Sequence, residues 1–271
     1  MLPYRLLALD LDGTIVDSSV RISARVRRAI RAAMDSGVHV TIASGRPFGV
    51  TRLFASDLGI WEPLISHQGA MVRDPRNGEL YLQRNLPRQL AHEFVDVARE
   101  HGWDLCLAID DELYVERLTP VLRILSDLSP TPMDERVVTD LKALPQDPLR
   151  LLVIVEAAQA LMVDHLLRER FAGRLRIVRS FARFVEGTDM AASKGQALAF
   201  LAQKLGVSQA ETMAIGDNDN DADMVSWAGL GVAMGNASPA VKAAANHITG
   251  TIAEDGAALA IERFVQQQND G

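Results

Sequence analysis

Asp10 and Asp12 stand two residues apart in Asp10-Leu11-Asp12-Gly13-Thr14, directly after the apolar run Leu6-Leu7-Ala8-Leu9. Residues i and i+2 of a strand project to one face, so both carboxylates leave a buried strand on the same side. Two acids beside a Gly-Thr turn make a poor core and a usable site for magnesium-assisted phosphoryl transfer. One carboxylate can attack phosphorus and the other can move protons. The competing reading, two turn-forming aspartates, is disfavoured by the buried strand before them and the Gly-Thr after them.

Three further segments supply what such a site still lacks. Ser44-Gly45-Arg46 ends a second apolar strand; a small hydroxyl and N–H groups at a helix start suit a phosphate, although Ser-Gly turns commonly do no more than cap helices. Lys194 follows the turn Ala191-Ala192-Ser193, and taken alone it reads as a solvated surface charge. Gly216-Asp217-Asn218-Asp219-Asn220-Asp221 follows the strand Thr212–Ile215, with Glu211 and Asp223 at its edges. Acids crowded this closely call for a cation. An EF-hand loop is the natural rival, since Asp217, Asp219 and Asp221 match its first ligand positions. It fails further on, where Ala222 and Ala228 replace the required Gly and Glu.

The elements that must position these residues alternate. Apolar strands are expected at Tyr4–Leu9, Val38–Ala43 and Pro63–Ser66, with a helix capped by Ser23 that ends near Gly37 and another that closes near Gly59. A hairpin, Ala70–Arg73 with Glu79–Arg84, turns at Asp74–Gly78. From Pro87 the order becomes antiparallel-rich: helix Arg88–His101, strands Leu105–Ile109 and Leu113–Glu116, a proline-bearing stretch Pro120–Pro132, strand Leu149–Val155, helix Gln159–Phe171, and strands Leu175–Arg179 and Arg183–Glu186. From Ser193 the βα rhythm resumes to a last helix near Gly256, and the polar tail Gln266–Gly271 reads as frayed. The fold class is therefore α/β, a core with a mostly parallel sheet split in sequence by a smaller α+β insertion. The expected boundaries are 1–84 and 187–271 for the core and 85–186 for the insertion.

Composition narrows the partners. The chain has 271 residues, 48% of them hydrophobic, enough for a full core in two domains. A formal net charge of −7 disfavours nucleic acid and anionic membranes. No apolar run approaches the roughly 18 residues of a membrane span, and Arg5 and Asp10 within the first ten residues do not read as a signal peptide. Cys106 is the single cysteine, which excludes an intrachain disulfide and fits a reducing cytoplasm. It reads as a small buried hydrophobe. The six histidines lack ligand spacing, so zinc is not expected.

In this order, Asp-x-Asp-Gly-Thr, Ser-Gly-Arg, the lysine and Gly-Asp-x-x-Asn-Asp resemble the haloacid dehalogenase superfamily over essentially the whole chain. The run Ala228–Ala237 is similar to its Cof-type phosphatases, whose Rossmann-like core carries a large inserted cap. Ser66-His67-Gln68-Gly69-Ala70 and Phe184-Val185-Glu186-Gly187 depart from the usual pattern near the core–cap junctions. The resemblance implies that Asp10 is the nucleophile and Asp12 the general acid and base. It implies magnesium held by Asp10, the Asp12 backbone carbonyl and Asp217. Ser44 and Lys194 would bind the transferring phosphoryl group, with Thr14, Gly45, Arg46 and Asn220 completing the phosphate site. Asp221 would position Lys194 and the metal waters. Such an enzyme must cancel the repulsion between two anions, roughly 4 kcal/mol at 4 Å in an effective dielectric near 20. The second acid disfavours a dehalogenase. The expected activity is hydrolysis of small phosphate monoesters such as sugar phosphates, flavin mononucleotide or pyridoxal phosphate, with a sugar phosphomutase and a non-catalytic phosphometabolite-binding module as alternatives. The substrate is expected to meet Asp110–Glu112, Phe181–Glu186 and the Gln68 turn. Neither nucleic acid nor a membrane is expected as a partner, and monomer and weak homodimer both remain open.

Overall fold

The computed structural model describes residues 4–120, 122, 125 and 135–266. The expected proline-bearing stretch and polar tail therefore lie almost wholly outside the described residues. The strands β1 (Leu6–Leu9), β2 (His39–Ile42), β3 (Leu64–Ser66), β4 (Met71–Arg73) and β5 (Leu80–Gln83) come first, with helices α1 (Ala24–Asp35) and α2 (Phe48–Leu58) between them. Next come α3 (Arg88–Glu100), β6 (Asp104–Ile109), β7 (Glu112–Val115), β8 (Glu135–Val137), β9 (Arg150–Ile154), α4 (Ala157–Arg170), β10 (Arg176–Phe181) and β11 (Phe184–Thr188). The chain closes with α5 (Lys194–Leu205), β12 (Thr212–Gly216), α6 (Ala222–Trp227), β13 (Leu230–Ala233), α7 (Pro239–Ala244), β14 (His247–Ile248) and α8 (Gly256–Ile261).

Five parallel strands form one sheet in the order β14-β13-β12-β1-β2. Leu7 and Leu9 of β1 pack with Ile30, Ile42 and Val232, while Leu6 and Ala8 pack with Leu198, Leu201 and Ala214. Both faces of β1 are thus covered by apolar side chains, which is why it reads as an unbroken apolar run. The flanking helices begin and end on residues with capping chemistry. Ser23 accepts the Val26 amide at 3.2 Å and α1 buries Val26, Ala29, Ile30 and Ala33. Gly59 and Gly206 close α2 and α5 in the left-handed region. The strands β4 and β5 form the expected hairpin, and β3, expected with the first block, pairs antiparallel with β4 and is joined to the end of β2 by a bridge between Ala43 and Ile65.

Residues 104–188 supply a second sheet of six strands, β10-β11-β9-β6-β7-β8, mostly antiparallel. Alternation along β6 separates its two faces. Leu105 and Leu107 meet α3 and α4 through Phe94, Val163 and Leu167, whereas Cys106 and Ala108 join Leu125, Leu152 and Phe184. Cys106 is the small buried hydrophobe expected. The strands β8 and β14, only three and two residues long, are additions to the expected order. No helix among the described residues is long and apolar enough to cross a membrane.

Candidate active site

Parallel pairing of β1 with β12 sets Leu9 beside Ile215, and the Asp10 amide donates to the Ile215 carbonyl at 3.0 Å. The acids just past the two strand ends are thereby brought together from opposite ends of the chain. One ligand oxygen from each of Asp10, Asp217 and Asp221 lies within 4.8 Å of the others. Gly13 permits this approach. Its φ is +83°, and a Cβ there would sit 2.2 Å from Asp217 Oδ2. Thr14 Oγ1 donates to Asp217 at 3.2 Å, and Asn236 Nδ2 donates to Gly13 O at 2.9 Å and Asp217 at 3.3 Å.

Lys194 enters the same group from the first residue of α5. Only 1% exposed, its Nζ donates at 2.6 Å to both Asp10 Oδ1 and Asp221 Oδ1. Burial alone pulls its pKa down, but the Asp10 and Asp221 carboxylates outweigh burial and hold it above the ordinary lysine range. The solvated surface charge that Lys194 resembles in isolation is therefore not what the fold makes of it. Asp221 is engaged at both oxygens: its second oxygen accepts the amides of Asp217 and Asn218, both at 3.0 Å. Burial, then the Asp221 charge, raise Asp10 well above the usual carboxylate range, and the same two causes lift Asp217 to about 7.

Asp12 faces a different partner. Arg46 grips it with two hydrogen bonds, Nε to Oδ2 at 2.8 Å and Nη2 to Oδ1 at 2.6 Å, and lies 5.4 Å from the centre of the Phe54 ring. In the Ser44 turn, Ser44 Oγ accepts the Arg46 amide at 3.1 Å and the Ser44 amide donates to Ile65 O at 2.9 Å. Two of the amides of the expected anion cradle are thus committed within the protein, and α2 starts only at Phe48.

Asp10, Asp12, Gly45, Arg46 and Asn220 line one cleft, and the six-stranded sheet provides much of its other wall. On that wall Arg150 and Leu152 are i and i+2 on β9, and Phe184 and Glu186 are i and i+2 on β11, paired in register as Glu186 with Leu152. Arg150 Nη1 donates to Glu186 Oε2 at 2.5 Å and to the Gly45 carbonyl at 2.7 Å. Gln68 Nε2 donates to Glu186 Oε1 at 2.9 Å, and its Oε1 accepts Asn220 Nδ2 at 2.7 Å. Asp110–Glu112, expected beside the substrate, instead line a separate groove with Met71 and Arg73. There Asp111 accepts the Gly49 amide at 2.9 Å, in the first turn of α2.

Residues 7–261 match the haloacid dehalogenase-like hydrolase family. The chain belongs to that family. Among its relatives is the 5-amino-6-(5-phospho-D-ribitylamino)uracil phosphatase YcsE of Bacillus subtilis, 32% identical, with 96% of each chain covered. The phosphatase YwpJ of the same organism is 30% identical over 94% of this chain and 97% of its own. A haloacid dehalogenase-like hydrolase from Bacteroides thetaiotaomicron superposes with a TM-score of 0.84 at 31% identity, covering 96% and 99% of the two chains. This haloacid dehalogenase-like hydrolase is a phosphatase of the Cof type.

Sequence reasoning about the phosphatase missed Arg150 and Asn218. Arg150 is the one charge inside the apolar stretch Leu149–Val155, a signal that a buried partner was waiting. Asn218 donates to Ser180 O at 2.6 Å, a contact across 38 residues that no local pattern announces.

Proposed function

We propose that this chain is a magnesium-dependent phosphatase that hydrolyses small phosphate monoesters through an aspartyl-phosphate on Asp10. The observation that carries this reading is the buried Lys194 shared between Asp10 and Asp221, with Asp217 alongside. An aspartate that attacks a phosphate dianion needs fixed positive charge beside it, and Lys194 supplies that charge at the nucleophile itself. The hard oxygen donors of Asp10 and Asp217, with the Asp12 carbonyl, fit magnesium. When bound, the ion offsets the negative charge of the phosphoryl group and of the acids.

In the first half-reaction an Asp10 oxygen forms its bond to phosphorus as the ester P–O bond breaks, and Asp12 gives its proton to the departing alkoxide. In the second, Asp12 takes a proton from water as the water oxygen bonds to phosphorus and the Asp10–P bond breaks. Asp12 is returned to its starting state. Ser44, Lys194, Thr14, Gly45 and the second Nδ2 hydrogen of Asn220 bind the phosphoryl oxygens, and Asp221 keeps Lys194 in place. Arg46 orients Asp12, which exchanges part of its Arg46 contact for the leaving group. Residues 85–186 act as a cap over the core formed by 1–84 and 187–271. A relative named for a ribitylamino-uracil phosphate supports a hydroxylated, heterocycle-bearing leaving group as one candidate.

The test is phosphate release from a phosphoester panel with magnesium. Turnover is expected to stop with EDTA, to vanish in Asp10→Ala and to fall severely in Asp12→Ala. Free phosphate should equal ester consumed, whereas isomerisation without release would make the enzyme a mutase. Near-normal hydrolysis by Asp10→Ala would overturn the assignment.

A further inference from the structure

The cap-side wall of the cleft holds a buried charge pair that the phosphoryl chemistry does not use. Glu186 is 1% exposed and Arg150 5% exposed, and both line the cleft that contains Asp10 and Asp12. Glu186 Oε1 is filled by Gln68 Nε2 and the Ser180 hydroxyl. Its Oε2 accepts from Arg150, which leaves that oxygen one lone pair. Two other polar atoms on lining residues are buried without a hydrogen-bond partner, Arg150 Nε and Asn220 Oδ1. Buried polar atoms are almost always paired, so orphans grouped at one cleft ask what satisfies them.

We propose that Glu186, Arg150 and Asn220 form the specificity wall of this enzyme, selecting an uncharged, hydroxyl-bearing leaving group and rejecting one that carries a second anion. The inference rests on the phosphatase reading above. The open functions are two acceptors, Glu186 Oε2 and Asn220 Oδ1, and one donor, Arg150 Nε. A hydroxyl both donates and accepts, so neighbouring hydroxyls match this set. A phosphate or carboxylate accepts only and meets a buried carboxylate. A hydrocarbon chain leaves Arg150 Nε and Asn220 Oδ1 unpaired and the second lone pair of Glu186 Oε2 unused. Arg150 attracts no second anion because Glu186 already neutralises it, and the other cleft guanidinium, Arg46, is held by Asp12. Through its bond to the Gly45 carbonyl, Arg150 also ties this wall to the Ser44 turn.

The test compares kcat/KM for sorbitol 6-phosphate, n-hexyl phosphate and sorbitol 1,6-bisphosphate, with p-nitrophenyl phosphate as a general ester, all with magnesium. The wild-type enzyme is expected to prefer sorbitol 6-phosphate over each of the other two alkyl esters by at least about tenfold. In Glu186→Gln, Arg150 loses its counter-charge, and the bisphosphate-to-monophosphate ratio should rise about tenfold or more. A general loss of structure would lower both substrates together and leave that ratio where it was. Equal wild-type rates on hexyl and sorbitol phosphates, with p-nitrophenyl phosphate turned over, would overturn the proposal and leave the phosphatase reading standing. No turnover of any ester would overturn both. Should Glu186→Gln not fold, the wild-type comparison decides alone.

Discussion

Removing the Lys194 ammonium would leave Asp10 and Asp221 buried beside each other with no cation between them. Breaking a buried ion pair from one side costs about 3–5 kcal/mol, because the remaining charge has neither water nor partner. Lys194→Met is therefore expected to lose stability on that scale in urea unfolding, and to lower kcat by at least about 10²-fold. On the proposed reading, the neighbouring Asp217 makes metal binding depend on pH. Its carboxyl is lifted to about 7 from an ordinary 3.8, first by burial and then by the Asp221 charge. Between those two values the folded protein without metal holds a proton that the unfolded chain gives up. The stability that Asp217 contributes accordingly declines as pH rises through that window and levels off above about 7. Magnesium requires the ionised carboxylate, so the proton competes with it. Magnesium affinity should fall about tenfold per pH unit below 7, and the thermal stabilisation by magnesium should be larger at pH 8 than at pH 5.5. Equal stabilisation at both values, measured by calorimetry, would contradict a raised Asp217.

At the scale of elements, the turn after β1 is fixed by a single residue. Gly13 and Gly37 share nearly the same backbone, with φ of +83° and +87°, but only Gly13 has a neighbour in the way, Asp217, while a Cβ on Gly37 meets nothing within 4 Å. Gly37→Ala is expected to cost about 1 kcal/mol through its left-handed backbone and to leave magnesium affinity unchanged. Gly13→Ala carries the same backbone cost and also displaces Asp217. It should weaken magnesium binding as well as stability, a difference that a metal titration of the two variants reads directly. Much of this positioning is legible in sequence because it sits at strand ends. The apolar run Leu6–Leu9 marks a doubly covered strand, and Ser23, Ser193, Gly59 and Gly206 mark helix ends by chemistry within four residues. The wall formed by β9 and β11 is less legible. Glu186 finds Gln68 at a separation of 118 residues and Arg150 finds Gly45 at 105, distances at which only the folded chain defines who meets whom. Strands as short as β8 and β14 hold too few residues for a period-two pattern to register. Lys194 fails in the opposite way: its position at a helix start is readable, but its burial is set by packing of α5 against the distant Asp10 and Asp221.

For the whole molecule, the question is how an ester reaches a cleft over which residues 104–188 are fastened. Among the described residues the polar fasteners include Arg150 to Gly45 O, Gln68 to Glu186, Asn218 to Ser180 O, Asp111 to the Gly49 amide, and Arg176 with Asp223 at 3.3 Å, beside the apolar contact of Leu149 with the parallel-sheet core. Polar contacts of this kind exchange for water at little net cost, about 0.5–1.5 kcal/mol each, so they suit the parting and closing that the proposed cap function calls for. Asp111 is the informative one to remove, since it does not line the cleft and its contact with the Gly49 amide is exposed. Asp111→Ala leaves that amide to water and His67, whose pKa burial pulls down, without its nearby carboxylate. Losing about 1 kcal/mol from the closed form raises the ratio of open to closed molecules about fivefold. Leu161 on α4 is 65% exposed and Leu53 on α2 is 39% exposed, and the native Cys106 is buried. Spin labels on Leu161→Cys and Leu53→Cys therefore report the separation of the two sheets without a third label. The wild-type distance distribution should be dominated by one short separation, and Asp111→Ala should add a longer component. Magnesium with orthovanadate should shrink that component, because a ligand held by both walls favours the closed form. An unchanged distribution in Asp111→Ala would mean that the Asp111 contact follows closure without contributing to it.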